Sequence, residues 1–96
     1  MEFEVSHDEK EQKGRFFIQN KSSDIAEMTY SVAGDDKIII DHTQVDESYR
    51  GKDLGKKLVF KAAEFARNKG IKVVPLCPFA NAIFKKNQEL QDVLSK

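Results

Sequence analysis

One cysteine, Cys77, is all the thiol that this 96-residue chain contains. An internal disulfide is therefore excluded, as suits a reducing compartment. With only two histidines, His7 and His42, far apart in sequence, that thiol makes no zinc-ligand set either. Long apolar runs are missing as well. Nothing approaches the roughly 20 consecutive apolar residues of a spanning helix. The start, Met1-Glu2-Phe3-Glu4-Val5, is acidic and lacks the apolar core of a secretory signal. These absences predict a cytoplasmic protein without a membrane partner. Internal repeats, low-complexity tracts and linkers are also lacking. A chain this short buries one core but not two, so a single domain over 1–96 is expected.

Excess charge of either sign is absent: 16 Lys and Arg balance 16 Asp and Glu. That argues against broad nucleic-acid binding. The distribution is nonetheless uneven. Residues 1–49 hold 12 acidic and 5 basic side chains, whereas residues 50–72 hold 8 basic and 2 acidic ones. Such a cationic cluster suits a compact anionic ligand. A solvated, lysine-rich helix face explains it equally well.

What is present reads as a mixed α/β (α+β) domain. Arg15 to Asn20 is a short apolar run closed by polar residues. Ile25 to Val32 alternates apolar and polar at most positions, and Lys37 to Val45 is β-branched at its centre; both suit strands. Gly34-Asp35-Asp36 marks a turn, so these two strands should form an antiparallel hairpin. Residues 3–7 are a further candidate strand. The period then changes. Leu54, Leu58, Ala62, Phe65 and Ala66 share one face of a helix, and Gly70 stands where a left-handed residue ends it. Ile71 to Leu76 is a short strand, with Pro75 ending its ladder or sitting at a bulge. A strand–helix–strand unit favours a right-handed crossover and a parallel pair. Phe79 to Lys86 reads as a second helix, and Gln88 to Leu94 as a further turn or two. The expected sheet is thus mixed, with antiparallel strands followed by the crossover and two to three helices.

The segment Tyr49-Arg50-Gly51-Lys52-Asp53-Leu54-Gly55 joins the third long strand to the first helix. The first N–H groups of a helix lack internal partners and lie at the positive end of its dipole, a setting that attracts phosphate. Gly51 and Gly55 permit close backbone approach, and Arg50 and Lys52 add charge. A plain strand-to-helix loop, in which glycine only permits the turn, fits the same residues.

This segment resembles the coenzyme-binding motif of the GNAT acetyltransferase superfamily, Arg/Gln-x-x-Gly-x-Gly/Ala. Arg50 and Gly55 match its ends, and Tyr49, Gly51, Lys52 and Leu54 match common companions. Asp53 departs from it, because glycine is usual there. A carboxylate would repel a pyrophosphate, unless it caps the helix start and faces away. The resemblance extends to a very small branch of the superfamily. Its landmarks correspond to Asp41-His42-Thr43 before the motif and to Pro75-Leu76-Cys77-Pro78-Phe79 on the last strand. The match is specific across residues 38–84, whereas the first 35 residues match only in pattern.

The resemblance implies a minimal GNAT-like fold and acetyl-coenzyme A as cosubstrate. Coenzyme contacts are expected from Val45, Arg50, Gly51, Lys52, Asp53, Leu54, Gly55, Lys56 and Asn81. Acetyl transfer to an amine requires the amine to lose a proton, the oxyanion to find a donor and the departing thiolate to gain a proton. Larger members often supply that last proton from a tyrosine after the final strand; here that region holds Phe79 and Phe84. Cys77 and His42 remain as catalytic candidates. Cys77 serves as the acid, as an acyl acceptor if its pKa is lowered by His42 or a helix start, or as a small buried hydrophobe. His42 serves as a base or as a strand-end residue bonded to the sheet. His7 is expected to have no role. Three functions follow: an N-acetyltransferase acting on a small amine or an exposed lysine, a coenzyme-A-binding protein with little turnover, or a partner-binding module that pairs a peptide on a hairpin edge. No nucleic-acid partner is expected, and the chain should be a monomer or weak homodimer.

Overall fold

The computed structural model describes residues 3–95. Five strands form one sheet in chain order: β1 (Ser6–Lys10), β2 (Lys13–Asn20), β3 (Ser23–Ala33), β4 (Lys37–Val45) and β5 (Lys72–Pro75). The first four pair with one another antiparallel, and β5 runs parallel to β4. Helix α1 (Leu54–Lys69) makes the crossover, and α2 (Pro78–Lys86) follows β5. Two 3-10 turns, Glu47–Tyr49 and Gln88–Val93, complete the architecture. The mixed α/β class, the crossover and the hairpin of β3 with β4 agree with the sequence pattern.

Alternation along the strands places Phe16, Ile18, Met28, Tyr30, Ile38 and Ile40 on one face, each buried. Helix α1 covers that face with Leu54, Leu58, Val59, Ala62, Ala63 and Ala66. Burying each large apolar side chain stabilises the fold by about 1.5–3 kcal/mol, and the three alanines let the helix lie close to the sheet. Phe65, assigned to the same stripe by spacing, is only partly buried. Its ring meets His7 edge-on, with centroids 4.7 Å apart. Gly70 adopts φ 70°, and its N–H closes the helix on the carbonyls of Ala66 and Arg67. Pro75 is the last residue of β5, opposite Ile40.

The N-terminal strand is displaced from residues 3–7 to Ser6–Lys10. The tight turn at Glu11–Gln12, with Glu11 at φ 59°, sets the pairing of Lys10 with Lys13. Phe3 and Val5 pack against the core instead of joining the ladder. The same pairing sets His7 opposite Phe16. His7 therefore has a structural role that its polar surroundings in sequence concealed. Its ring stacks on Phe16 with centroids 4.3 Å apart, and its Nε2 lies 2.5 Å from the Tyr30 hydroxyl. Burial, the largest influence, holds the His7 pKa below its ordinary value; nearby Glu9 opposes the shift.

Two features of β4 shape the functional region. Tyr30 pairs with Ile40 and Thr29 with His42, so Asp41 is one residue too many on β4. Such a bulge shifts the alternation by one. Ile38 and Ile40 face the helices before it; after it Thr43, opposite buried Met28, does so. Pairing of β4 with β5 also stops early, at Ile40 and Pro75. The Cys77 N–H still reaches the Ile40 carbonyl at 3.3 Å, and beyond that point the two strands part.

Candidate functional site

A groove of about 720 Å³ runs from the start of α1 to the place where β4 leaves β5. Strand β4 lines it with Thr43, Gln44 and Val45; the loop and α1 add Tyr49, Arg50, Gly51, Asp53, Leu54, Gly55 and Lys56. Helix α2 supplies the opposite wall through Phe79, Ile83 and Lys86, with Asn87 just beyond its end.

The loop geometry follows from two left-handed residues. Gly51 has φ 87°, with nothing within 4 Å of where a Cβ would stand; conformation, not space, calls for glycine there. Asp53 has φ 59° and makes no side-chain cap, so its carboxylate does not serve the helix start as an N-cap usually does. Gly55 answers a different need. A Cβ on it would run into the Phe79 ring, which rests against the helix at that point. The backbone amides here are free. None of the N–H groups of residues 51–56 meets an acceptor among the described residues, and the first to do so is Lys57, on the Asp53 carbonyl at 3.0 Å. Arg50, Lys56 and Lys86 add positive charge to the same groove.

Among the coenzyme candidates, Val45, Arg50, Gly51, Asp53, Leu54, Gly55 and Lys56 are brought together here. Lys52 points into an adjoining hollow of about 410 Å³ with Lys56, Lys57 and Phe60. Asn81 is not on the wall. The residues of α2 that are, 79, 83 and 86, follow helical spacing, and Asn81 falls off that stripe. Gln44, Ile83, Lys86 and Asn87 belong to no sequence motif, and the 79/83/86 spacing is the one signal in the sequence that points to this wall.

Cys77 is 8% exposed and stands at the N-cap of α2. Its Sγ lies 3.4 Å from Thr43 Oγ1. Burial pushes the thiol pKa up. The Thr43 hydroxyl and the backbone groups of Ala80, Phe79 and Thr43 outweigh it, so the pKa lies below the ordinary thiol value. The sulfur forms no cap hydrogen bond, but amides at a helix start favour a thiolate even without one. His42 takes no part in this. It is exposed and pairs with Thr29, so it points to the opposite face of the sheet from Thr43. Of the two suggested sources of a lowered pKa, the helix start acts and the histidine does not.

A parallel pair that opens beside a glycine-bearing helix start defines the GNAT class of acyltransferase folds. The comparisons agree. A family model described as GCN5-related N-acetyl-transferase matches residues 15–93. Protein NATD1 of Danio rerio is 32% identical over 88 residues, covering 91% of this chain and 78% of that protein. A GCN5-like chain from Staphylococcus aureus, solved in solution by NMR, superposes with a TM-score of 0.74 at 33% identity, covering 96% of this chain and 87% of that one. The ribosomal-protein-S18-alanine N-acetyltransferase of Escherichia coli shares the fold at a TM-score of 0.67 and 17% identity, over 81% of this chain and 53% of that one. The chain belongs to the GCN5-related N-acetyltransferase family. No helix among the described residues is long and apolar enough to cross a membrane.

Proposed function

We propose that this chain transfers an acetyl group from acetyl-coenzyme A to an amine. The observation that carries the reading is the run of free amides at 51–56, at one end of a groove whose other end lies beside Thr43 and Cys77. Free amides at a helix start suit a diphosphate, and Arg50 and Lys56 supplement them. The open backbone at Gly51 leaves room for close approach. Val45, beyond the last β4–β5 pair, has main-chain groups turned away from β3 and available for the pantetheine amides. Acetyl-coenzyme A supplies the activated acetyl group. Cys77, with its lowered pKa, is the group that would return a proton to the departing thiolate, or take the acetyl group itself. His42, exposed on the other face, is the base for the acceptor amine, whether on a small molecule or a lysine. The free thiol suits a reducing compartment, and we assign the protein to the cytoplasm as a monomer or weak homodimer.

Titration calorimetry with coenzyme A tests the site. Saturable heat is expected, and silence at millimolar ligand would sink the reading. One observation favours a second reading, coenzyme binding with little turnover: Cys77 is almost covered and absent from the groove wall. A screen of amine acceptors with acetyl-coenzyme A separates the two, since turnover with any amine eliminates the second.

A further inference from the structure

Tyr49 closes the short turn that precedes the free amides, and its ring is held from several sides. The Asn20 Nδ2–H donates to the Tyr49 hydroxyl at 2.6 Å. Phe3 meets the ring edge-on, with centroids 5.9 Å apart. The Tyr49 N–H donates to the Asp46 carbonyl at 2.9 Å, and the Asp46 side chain caps the same turn through the Ser48 N–H at 2.9 Å.

Asn20 is a firm partner. It is the last residue of β2 and pairs with Ser23 across a two-residue turn. Both turn residues are left-handed, Lys21 at φ 53° and Ser22 at φ 69°, the geometry of a tight hairpin turn. The segment after Tyr49 has little else to hold it. Arg50, Lys52 and Asp53 form no side-chain hydrogen bond or ion pair among the described residues. Their backbone is tied only by the Arg50 N–H to Glu47 and by the Asp53 carbonyl to Lys57. The next buried anchor is Leu54, 1% exposed. A four-residue span with two left-handed positions thus hangs between Tyr49 and Leu54.

We infer that Tyr49 is a positioning residue for the coenzyme loop, and that Asn20, on a different hairpin, sets where Tyr49 stands. The inference builds on the coenzyme site proposed above. Through this strut the β2–β3 turn fixes the height of the 51–56 amides over the groove, without itself touching the ligand.

The test uses Tyr49→Phe, Asn20→Ala and the double variant, with two readouts. Each single change is expected to weaken coenzyme A binding by about three- to tenfold, the loss of one hydrogen bond. The double variant is expected to bind no more weakly than the poorer single one, because both remove the same bond. Backbone amide order parameters from NMR relaxation at 51–56 should fall in all three while those of β3 stay as in the parent. Tyr49→Phe binding within twofold of the parent, or losses that add in the double variant, would overturn the strut. Unchanged order parameters at 51–56 would do so as well. A parent chain that fails to bind coenzyme A refutes the site proposal, and the order parameters then still decide whether Tyr49 holds the loop.

Discussion

The Cys77 sulfur lies 3.4 Å from the Thr43 hydroxyl, across the gap that opens where β4 and β5 separate. This contact ties the last-strand landmark to the one before the motif. It is also one of the influences that lower the thiol pKa. Thr43→Val keeps the shape and removes the hydroxyl. The thiol pKa is expected to rise, and alkylation by iodoacetamide near pH 8 to slow severalfold. A rate profile indistinguishable from the parent's would show that the helix start alone activates the sulfur.

The same thiol is open to a mass test. Incubation with acetyl-coenzyme A is expected to add one acetyl group, absent in Cys77→Ala, if the sulfur accepts acetyl. An unmodified parent chain leaves the acid role.

Gly55→Ala should act through Phe79. The added Cβ meets the far edge of a ring that is 44% exposed and can yield, so the cost is expected at the low end of the roughly 1–3 kcal/mol of core overpacking. Thermal unfolding of Gly55→Ala, Phe79→Ala and the double variant measures it. The double variant is expected to recover much of the loss, because truncating Phe79 vacates the space. Failure to recover would move the constraint from the ring to the backbone.

Arg50 is exposed beside the free amides and forms no ion pair among the described residues. Arg50→Ala is expected to weaken coenzyme A by about 1–3 kcal/mol in calorimetry, the scale of a charge-assisted hydrogen bond. Asp53→Gly is expected to do the reverse. It removes a carboxylate from the groove wall and relieves a left-handed residue that carries a side chain, so binding should tighten severalfold. An equal or weaker affinity would mean that the carboxylate faces away from the ligand.

His7 makes stability depend on pH. Its folded-state pKa is held below 6.5, so on acidification the unfolded chain takes up the proton first. Stability from this residue is whole above about 6.5 and is lost as pH falls from there through the lowered folded value. Urea midpoints from about pH 8 down to about pH 5 should show the decline, and His7→Phe should flatten it.

The fold was readable where a period repeats over many residues. Alternation in β3 and β4 and the three-and-four spacing of α1 gave the elements to within two or three residues, and Gly70 marked a boundary that depends only on local conformation. Contacts that join distant segments were not readable. His7 on Phe16, and Asn20 on Tyr49, come from register and from turns that no spacing encodes. The Arg50–Gly55 segment stood out because its chemistry is local. The α2 wall was missed because Phe79, Ile83 and Lys86 look like an ordinary core-and-surface mixture until the groove beside them is known. The left-handed Asp53 shows the limit from the other side: its identity suggested a cap, and the chain bends there without one.

Asp41 adds a single step to β4, and parity does the rest. Were Asp41 drawn into the regular ladder instead, the tail of the strand would turn inside out, with His42 thrust toward the apolar interior and Thr43 turned out to the water. Substitutions along 41–45 alter chemistry one position at a time. An insertion or deletion within 42–45 exchanges the two sides of the sheet at once, whereas loss of Asp41 only straightens the ladder, so beyond the bulge the length of this stretch is less free to vary than its composition.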